Sequence, residues 1–346
     1  MEQVIFSILI AFLTVRYCII NLIDISNKIN LFDHPDKVRK FHQTAVSPFG
    51  GVALFIGVMI SIGLNKSIWI NSPEFSRYFV AFVIVFFLGL KDDLIPVPSL
   101  KKLIWQIIVA IVVTYDNQFL LINLQGIFGI FTISIWVSYI LTILTIIIII
   151  NAFNLIDGAD GLAGTLGIFA TLSFGLYFII NGYISYGILA LTFSSSLLSF
   201  LFFNFEPAKI FLGDSGSMLT GLVISILAIK FVEYAPLASN LPFESSLVVG
   251  FGIILFPIMD LVRVFFLRII SGNSPFQADR KHAHHLLMDL GFSHRKLVTH
   301  IGVITVLFIP ISIYLSTFFN STLSIMVLIC LFFFFLKLLL IKNKLV

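Results

Sequence analysis

The sequence predicts an all-α, polytopic integral membrane protein, a single domain of about eleven transmembrane helices, and three observations carry that expectation. Of the 346 residues, 59% are apolar and only 11% are charged. Soluble domains carry about 25% charged residues, so this chain cannot build a water-facing surface of ordinary polarity. Mean hydropathy is +1.09, and long apolar stretches recur from end to end. The same composition excludes disordered, collagen-like and disulfide-stapled classes. Cys18 and Cys330, the 2 cysteines, sit within apolar stretches and read as small buried hydrophobes, neither a redox pair nor a metal site.

A span needs about 20 mostly apolar residues. The first stretch runs from Ile5 to about Ile20 and is interrupted by Arg16, which must snorkel or sit at the membrane edge. It does not read as a cleaved signal peptide, because Glu2 stands where a basic segment belongs and no small-x-small cleavage site follows. Ten further stretches cover residues 49–65, 77–91, 102–115, 130–153, 162–181, 184–203, 215–235, 246–270, 298–317 and 321–341. An odd number of spans puts the termini on opposite sides, and loop charge decides which is which. With the N-terminus outside, sixteen of the 21 Lys and Arg fall in inner loops or the C-terminal tail. Only Lys66 and Arg77 lie outside, and Arg16, Lys230 and Arg263 fall within spans. The expected orientation is therefore N-terminus outside and C-terminus cytoplasmic. Because the cations follow topology and form no single stripe, the net charge of +4 does not indicate a nucleic-acid partner. No repeat of 20–50 residues is visible.

Ionisable residues gather on the inner side. All 7 His, and eleven of the 17 Asp and Glu, lie in or beside five inner loops at about 24–48, 91–102, 151–161, 204–214 and 271–297. The outer loops are nearly featureless. This asymmetry points to a site at the cytoplasmic membrane surface, whereas a transport path would place carboxylates at span centres.

In the first loop, DHPDKVRKFHQTAVSPFGG, the cations suit anionic headgroups or phosphates, and Gly50-Gly51 permits close backbone approach to a phosphate. A purely topogenic basic loop is the alternative. In the second, GLKDDLIPVPSLKK, Asp92 and Asp93 repel each other, so keeping both ionised requires a metal or a lysine such as Lys102; the alternative is a solvated pair at a helix end. The third, NAFNLIDGADGLAG, is the strongest signal. Asn151, Asn154, Asp157 and Asp160 fall on one helical stripe, although the two Asp-Gly steps are expected to break the helix, and the spacing does not continue as a calcium loop. In the fourth, NFEPAKIFLGDSGSMLTG, Asp214 either caps the following helix or binds a hard cation, and Phe211 offers a face on which a base can stack. In the fifth, SPFQADRKHAHHLLMDLGFSHRK, His282, His284 and His285 follow Arg280 and Lys281. Zinc is disfavoured without thiolates, and the flanking cations suit a pyrophosphate.

Taken in order, these loops resemble the polyprenyl-phosphate N-acetylhexosamine-1-phosphate transferase family (glycosyltransferase family 4), over about Asp33 to Gly291. The match is nearest to its bacterial undecaprenyl-phosphate N-acetylglucosamine-1-phosphate transferase branch, through DHPDKVRKFH, DD with KLIWQ downstream, NAFNLIDGADGLAG, FLGDSGSMLTG, FPIMDLVRVFFLR and DRKHAHHLL. The resemblance implies a bacterial inner-membrane enzyme with UDP-N-acetylhexosamine and undecaprenyl phosphate as substrates, starting a lipid-linked cell-envelope glycan such as O antigen or teichoic acid. It implies magnesium, with manganese as the substitute, and Asp214 as its ligand. Asp92 and Asp93 would lie near the lipid phosphate, with Asp92 the candidate base, and Asn154 and Asp157 would line the cleft. Gly158, Asp160 and Phe211 would hold the uracil. Arg280, His282, His284 and His285 would meet the diphosphate and sugar, and Lys40, His42 and Lys102 the phosphates. Ala283, where relatives often carry a bulkier apolar residue, and the proline-rich PVPS after Asp93 depart from the pattern.

A phosphate monoester has a second pKa of about 6, so direct attack by the lipid phosphate needs no obligatory base, and it is preferred here to a covalent aspartyl intermediate. The competing readings are a phospho-N-acetylmuramoyl-pentapeptide transferase and, in another class, a secondary transporter of an anionic solute. Asp260 with Arg263, and Lys230 with Glu233, are each three apart and read as structural ion pairs. The sugar, the downstream pathway and whether the chain forms a homodimer stay open.

Overall fold

The computed structural model describes residues 2–29, 46–115, 119–237, 245–274 and 280–342. The order is α1 (Glu2–Ile29), α2 (Gly50–Gly63), a short α3 (Lys66–Asn71), α4 (Phe75–Leu94), α5 (Ser99–Thr114), β1 (Asn123–Ile127), β2 (Ile130–Thr132), α6 (Ile135–Ile156), α7 (Leu162–Ile180), α8 (Ile184–Asn204), α9 (Gly213–Tyr234), α10 (Ser246–Ile253), α11 (Leu255–Ile270), α12 (Ala283–Asp289), α13 (His294–Phe318) and α14 (Ser321–Lys342).

The chain is thus a polytopic, essentially all-α membrane protein. Seven described helices are long and apolar enough to cross a bilayer: α1, α6, α7, α8, α9, α13 and α14. Together the pair α10 and α11 is also long and apolar enough, but it is bent by 77° at its break, the geometry of a broken span or a re-entrant loop; Pro257 sits in the first turn of α11, the one place a helix tolerates it. Each of the eleven expected stretches carries helix, but α2 has 14 residues and α5 has 16, short of a full span, and α4 ends on Lys91, Asp92 and Asp93. Helices α1, α5, α6 and α14 expose apolar side chains such as Leu13, Ile104, Ile140 and Phe334, which suits a surface covered by hydrocarbon.

The centre is α9. Every residue from Ser215 to Phe231 is buried, and the helix packs against α2, α4, α6, α7 and α10. Two hydroxyls in its buried middle are satisfied within the helix: Thr220 Oγ1 donates to the Gly216 carbonyl at 2.7 Å and Ser225 Oγ to the Leu222 carbonyl at 2.7 Å. Small residues allow neighbouring backbones to come close, the means by which helices associate without a hydrophobic drive. The N-termini of α2 and α9 illustrate this. Gly50 N–H donates to Phe211 O at 2.9 Å and Gly51 N–H to Leu212 O at 2.8 Å, and a Cβ on Gly51 would collide with Gly216 N and Ser215 Oγ. The glycine pair therefore serves backbone-to-backbone docking, and its N–H groups are already engaged, which corrects the expectation that it approaches a phosphate.

The loop between α5 and α6 is not featureless. It forms a two-stranded antiparallel hairpin, β1 with β2, in which Gln125 and Phe128 have positive φ of 51° each. The Gln125 side chain donates to Ser246 Oγ at 2.7 Å and accepts from Leu247 N at 2.9 Å, while Phe128 N–H donates to Thr322 Oγ1 at 2.7 Å. The hairpin thus ties the starts of α10 and α14 together. The stretch IFGIFTI carried a strand-and-turn signal that the apolar count absorbed into a span.

Gly51→Ala is expected to cost about 1–3 kcal/mol by overpacking, read as a lower thermal midpoint in detergent. Gly63→Ala, whose Cβ meets no atom within 4 Å, should leave the midpoint unchanged; equal midpoints for the two variants would contradict this packing account.

Candidate active site

The acidic loops converge at the N-terminal end of α9. A helix start leaves backbone N–H groups unpaired and positively polarised, and an anion supplied there stabilises it. That anion is Asp93, from the end of α4. One oxygen accepts from Asp214 N at 2.6 Å, and the other from Ser215 N at 3.1 Å and Ser215 Oγ at 2.7 Å. Asp93 therefore caps a helix other than its own and fixes where Asp214 stands.

Asp92 is buried. One of its oxygens accepts from Val97 N at 2.6 Å, closing the proline-rich turn, and the other is ion-paired with Lys102. Lys102, from α5, also reaches Asp214 Oδ2 at 3.2 Å. The lysine needed to keep adjacent carboxylates ionised is thus the one expected from sequence. Asp214 itself is about one-third exposed, and its Oδ1 accepts from Asn154 Nδ2 at 2.5 Å. Asn154 also donates to Ser217 Oγ at 2.9 Å. Asn151 faces elsewhere and exchanges hydrogen bonds with Gln106 across α5 and α6.

Helix α6 ends at Ile156, and Asp157 takes the C-cap position with ψ 37°, so the Asp-Gly steps do stop the helix. Asp157 is only half-buried in the turn. Burial, then the charges of Asp214, Asp93 and Asp160, push its carboxyl well above the ordinary range. Asp160 is structural in its contacts: its N–H donates to His294 Nδ1 at 2.8 Å, and its Oδ2 accepts from Ala208 N at 3.2 Å. Asn204 links the same two loops, accepting from Gly161 N and donating to Ile210 O, both at 2.8 Å. Phe211, three residues before Asp214, is half-buried, and its N–H donates to Ser47 O at 2.8 Å.

The histidine loop docks on this turn. A Cβ on Gly158 would collide with His284 Nε2, so only glycine lets the imidazole lie against the Asp157–Gly158 backbone. Burial, then neighbouring His285, push His284 down to about 3, which keeps it neutral at physiological pH. His285 is also lowered, by burial and then Arg280. Arg280 sits at the exposed rim and pairs with Asp289 at 2.7 Å. Lys40 and His42 lie outside the described residues.

Sequence reasoning missed the anchors of this loop. Asp260 and Arg263 do form the expected ion pair, at 2.7 Å, but Asp260 also binds His282 and the N–H of Ala283. His294 and Asn204 were likewise passed over; a polar residue at the very end of an apolar stretch was the available signal. Lys230 and Glu233 pair at 2.8 Å at the far end of α9, with Lys230 set among the rings of Phe119, Tyr186 and Tyr234. They line a cavity of about 380 Å³ with Glu74, Arg77 and Gln125. Sixteen residues of helix put Lys230 roughly 24 Å from Asp214, so that cavity is no part of the aspartate cluster.

A central buried helix thus carries an acidic, lysine-bridged cluster at its N-terminus with a histidine loop docked beside it, and comparison with known proteins gives the class of membrane protein that holds it. The family description Glycosyl transferase family 4 matches residues 75–232. The chain is 31% identical over 316 residues (89% of this chain, 84% of the relative) to a probable undecaprenyl-phosphate N-acetylglucosaminyl 1-phosphate transferase of Bacillus subtilis. It is 28% identical over 276 residues (78% and 72%) to the undecaprenyl-phosphate alpha-N-acetylglucosaminyl 1-phosphate transferase of Salmonella typhi. It is also 29% identical over 298 residues (79% and 74%) to the decaprenyl-phosphate N-acetylglucosaminephosphotransferase of Mycobacterium leprae. The chain belongs to glycosyl transferase family 4.

Asp93→Asn replaces one acceptor oxygen by a donor facing N–H groups, and removes the charge. It should lower the thermal midpoint by the equivalent of about 1–2 kcal/mol. An unchanged midpoint would mean that Asp93 does not hold the start of α9.

Proposed function

We propose that this protein transfers N-acetylglucosamine 1-phosphate from UDP-N-acetylglucosamine to undecaprenyl phosphate, releasing UMP and forming a lipid-linked sugar diphosphate. The observation that carries the reading is the cluster of Asp92, Asp93, Asn154, Asp157, Asp214 and Lys102 around one helix N-terminus, in a chain similar across most of its length to relatives named for that reaction. The reading includes eleven spans with the N-terminus outside, so that this end of the bundle faces the cytoplasm, where nucleotide sugars are found.

The chemistry brings two anions together. An oxygen of the lipid phosphate attacks the β-phosphorus; the bond from that phosphorus to the bridging oxygen breaks, and the bridging oxygen leaves with UMP. Asp92 and Asp93 have both oxygens engaged, which supports direct attack by the lipid phosphate over a covalent intermediate on either of them. Lys102 is the cation placed among the carboxylates to meet a phosphate, and His284, held neutral, shapes the wall without adding charge.

Magnesium fits the donors present. The oxygens exposed at the cluster belong to hard carboxylates, which suit Mg²⁺, a cation that takes one or two carboxylates and completes its shell with water and substrate phosphates. Asp214 and Asp157 would hold it. Bound there, the metal would polarise a phosphoryl oxygen and offset charge in the transition state.

The sibling pentapeptide transferase reading is tested by substrate. Membranes carrying the protein should release UMP from UDP-N-acetylglucosamine only with undecaprenyl phosphate and Mg²⁺, and not from UDP-N-acetylmuramoyl-pentapeptide. The raised carboxyl of Asp157 must lose its proton before binding a metal. The Mg²⁺ concentration for half-maximal rate should therefore rise as pH falls; a requirement independent of pH removes Asp157 from the metal site, and lipid-independent UMP release overturns the transferase reading.

A further inference from the structure

Between α4 and α5 the chain runs LIPVPSL, and its apolar side chains face outward: Ile95 is 67% and Leu100 69% exposed. The lipid-facing stripes of both helices continue into this turn. On α4, Phe87, Lys91 and Leu94 are exposed at i, i+4 and i+7, and on α5 Leu100, Lys101, Ile104 and Trp105 share the exposed face. Each stripe therefore carries one lysine with apolar side chains on both sides of it. Were the bilayer to end at the two lysines, Leu94, Ile95 and Leu100 would stand in water beyond it. An apolar turn set beneath the headgroups, with the lysine heads reaching back to them, is the arrangement that long cationic side chains allow.

Irregular backbone can enter that layer only if its donors are met. From Ile95 to Pro98 they are: Ile95 N–H donates to Lys91 O at 2.7 Å and Val97 N–H to Asp92 Oδ1 at 2.6 Å, while Pro96 and Pro98 have no N–H. The proline-rich sequence thus removes two donors, and the buried Asp92 supplies the acceptor for a third. Lys91 and Lys101 make no ion pair among the described residues, whereas Lys102 turns inward to Asp92 and Asp214. Two outward cations beside an apolar surface suit the headgroup and acyl boundary of an anionic membrane.

We infer that the turn between α4 and α5 is an interfacial lip, inserted beneath the headgroups of the cytoplasmic leaflet and held there by Lys91 and Lys101 on the phosphates of anionic phospholipids. The inference rests on the transferase reading, which puts this end of the bundle at the cytoplasmic face, and deepens it. Lys102, next in sequence to Lys101, then stands at the level of the headgroup phosphates. The phosphate of a polyprenyl acceptor lies at that level too, so the acceptor meets its cation without leaving the bilayer. Through the Val97 N–H, Asp92 ties the lip to the aspartate cluster.

The test uses the full chain in vesicles of phosphatidylcholine alone or mixed with phosphatidylglycerol. With the free cysteines Cys18 and Cys330 replaced by Ser, a fluorophore is placed on Ile95→Cys or, should that variant lose its thermal midpoint, on Leu100→Cys. It should be quenched by bromine-labelled lipid tails and little by aqueous iodide. Quenching by iodide instead puts the turn in water, and protection from both puts it under a second copy or another protein; either result overturns the proposal. In kinetics at saturating UDP-N-acetylglucosamine, wild type and Lys91→Gln/Lys101→Gln should be equal in phosphatidylcholine. Phosphatidylglycerol should then raise kcat/KM for undecaprenyl phosphate by a larger factor in wild type, by up to about 5-fold for each lysine. The same factor in both proteins overturns the headgroup contact. A deficit of the double variant already present in phosphatidylcholine, and unchanged by phosphatidylglycerol, overturns it in favour of lysines that serve the acceptor's own phosphate. The fluorophore reads the lip without turnover, so a protein that inserts its turn but is inactive on every UDP-sugar overturns the transferase reading and leaves the lip standing.

Discussion

The carboxylate of Asp93 on the N–H groups of Asp214 and Ser215 is the contact on which the site depends. It joins the end of α4 to the start of α9 at a point where α2 also docks, backbone on backbone. The N-cap residue of α9, Leu212, offers no side-chain acceptor, and an uncapped helix start there would carry unpaired donors, which Asp93 satisfies from a neighbouring helix. Once that junction is set, Asp214 stands at a helix N-terminus, Lys102 reaches it from α5, and Asn154 reaches it from α6. Four helices contribute one functional group each, and α9, buried along nearly its whole length, holds them in register.

The same economy gives several polar residues of the short loops structural contacts of their own. Asp160, Asn204 and His294 hold the loop between α6 and α7 against the loop before α9 and the start of α13. Gly158 makes room for His284. Asp92 closes a turn and pairs with Lys102. Asp157, Asp214 and Lys102 are the members of the cluster that stay partly exposed.

Much of this was legible in the sequence, for identifiable reasons. Apolar length reports spans because lipid cannot satisfy a backbone, and the Asp, Asn and His residues at the ends of spans stood out against that background. The break after Ile156 and the lysine partner for Asp92 also followed from residue type. What was not legible depended on distance in sequence. Asp93 and Ser215 are 122 residues apart, so nothing local marks Asp93 as a cap. Asp260 lies inside an apolar stretch beside Arg263, and an i, i+3 pair gives no sign that His282 completes it. Gly50-Gly51 looked like a phosphate-binding turn because close approach to a backbone and close approach to an anion ask for the same residue.

The central claim is that the cluster at the start of α9 carries the phosphoryl transfer, with Asp214 as its exposed metal-binding group. Asp214→Asn keeps the size of the side chain and the hydrogen-bonding oxygen while removing the charge, and the backbone cap from Asp93 is untouched. Lipid-dependent UMP release by membranes containing equal amounts of the two proteins measures the claim directly. Release should fall to background in Asp214→Asn, with the protein still in the membrane and its thermal midpoint retained. An Asp214→Asn protein that releases UMP at the rate of the wild type would contradict it.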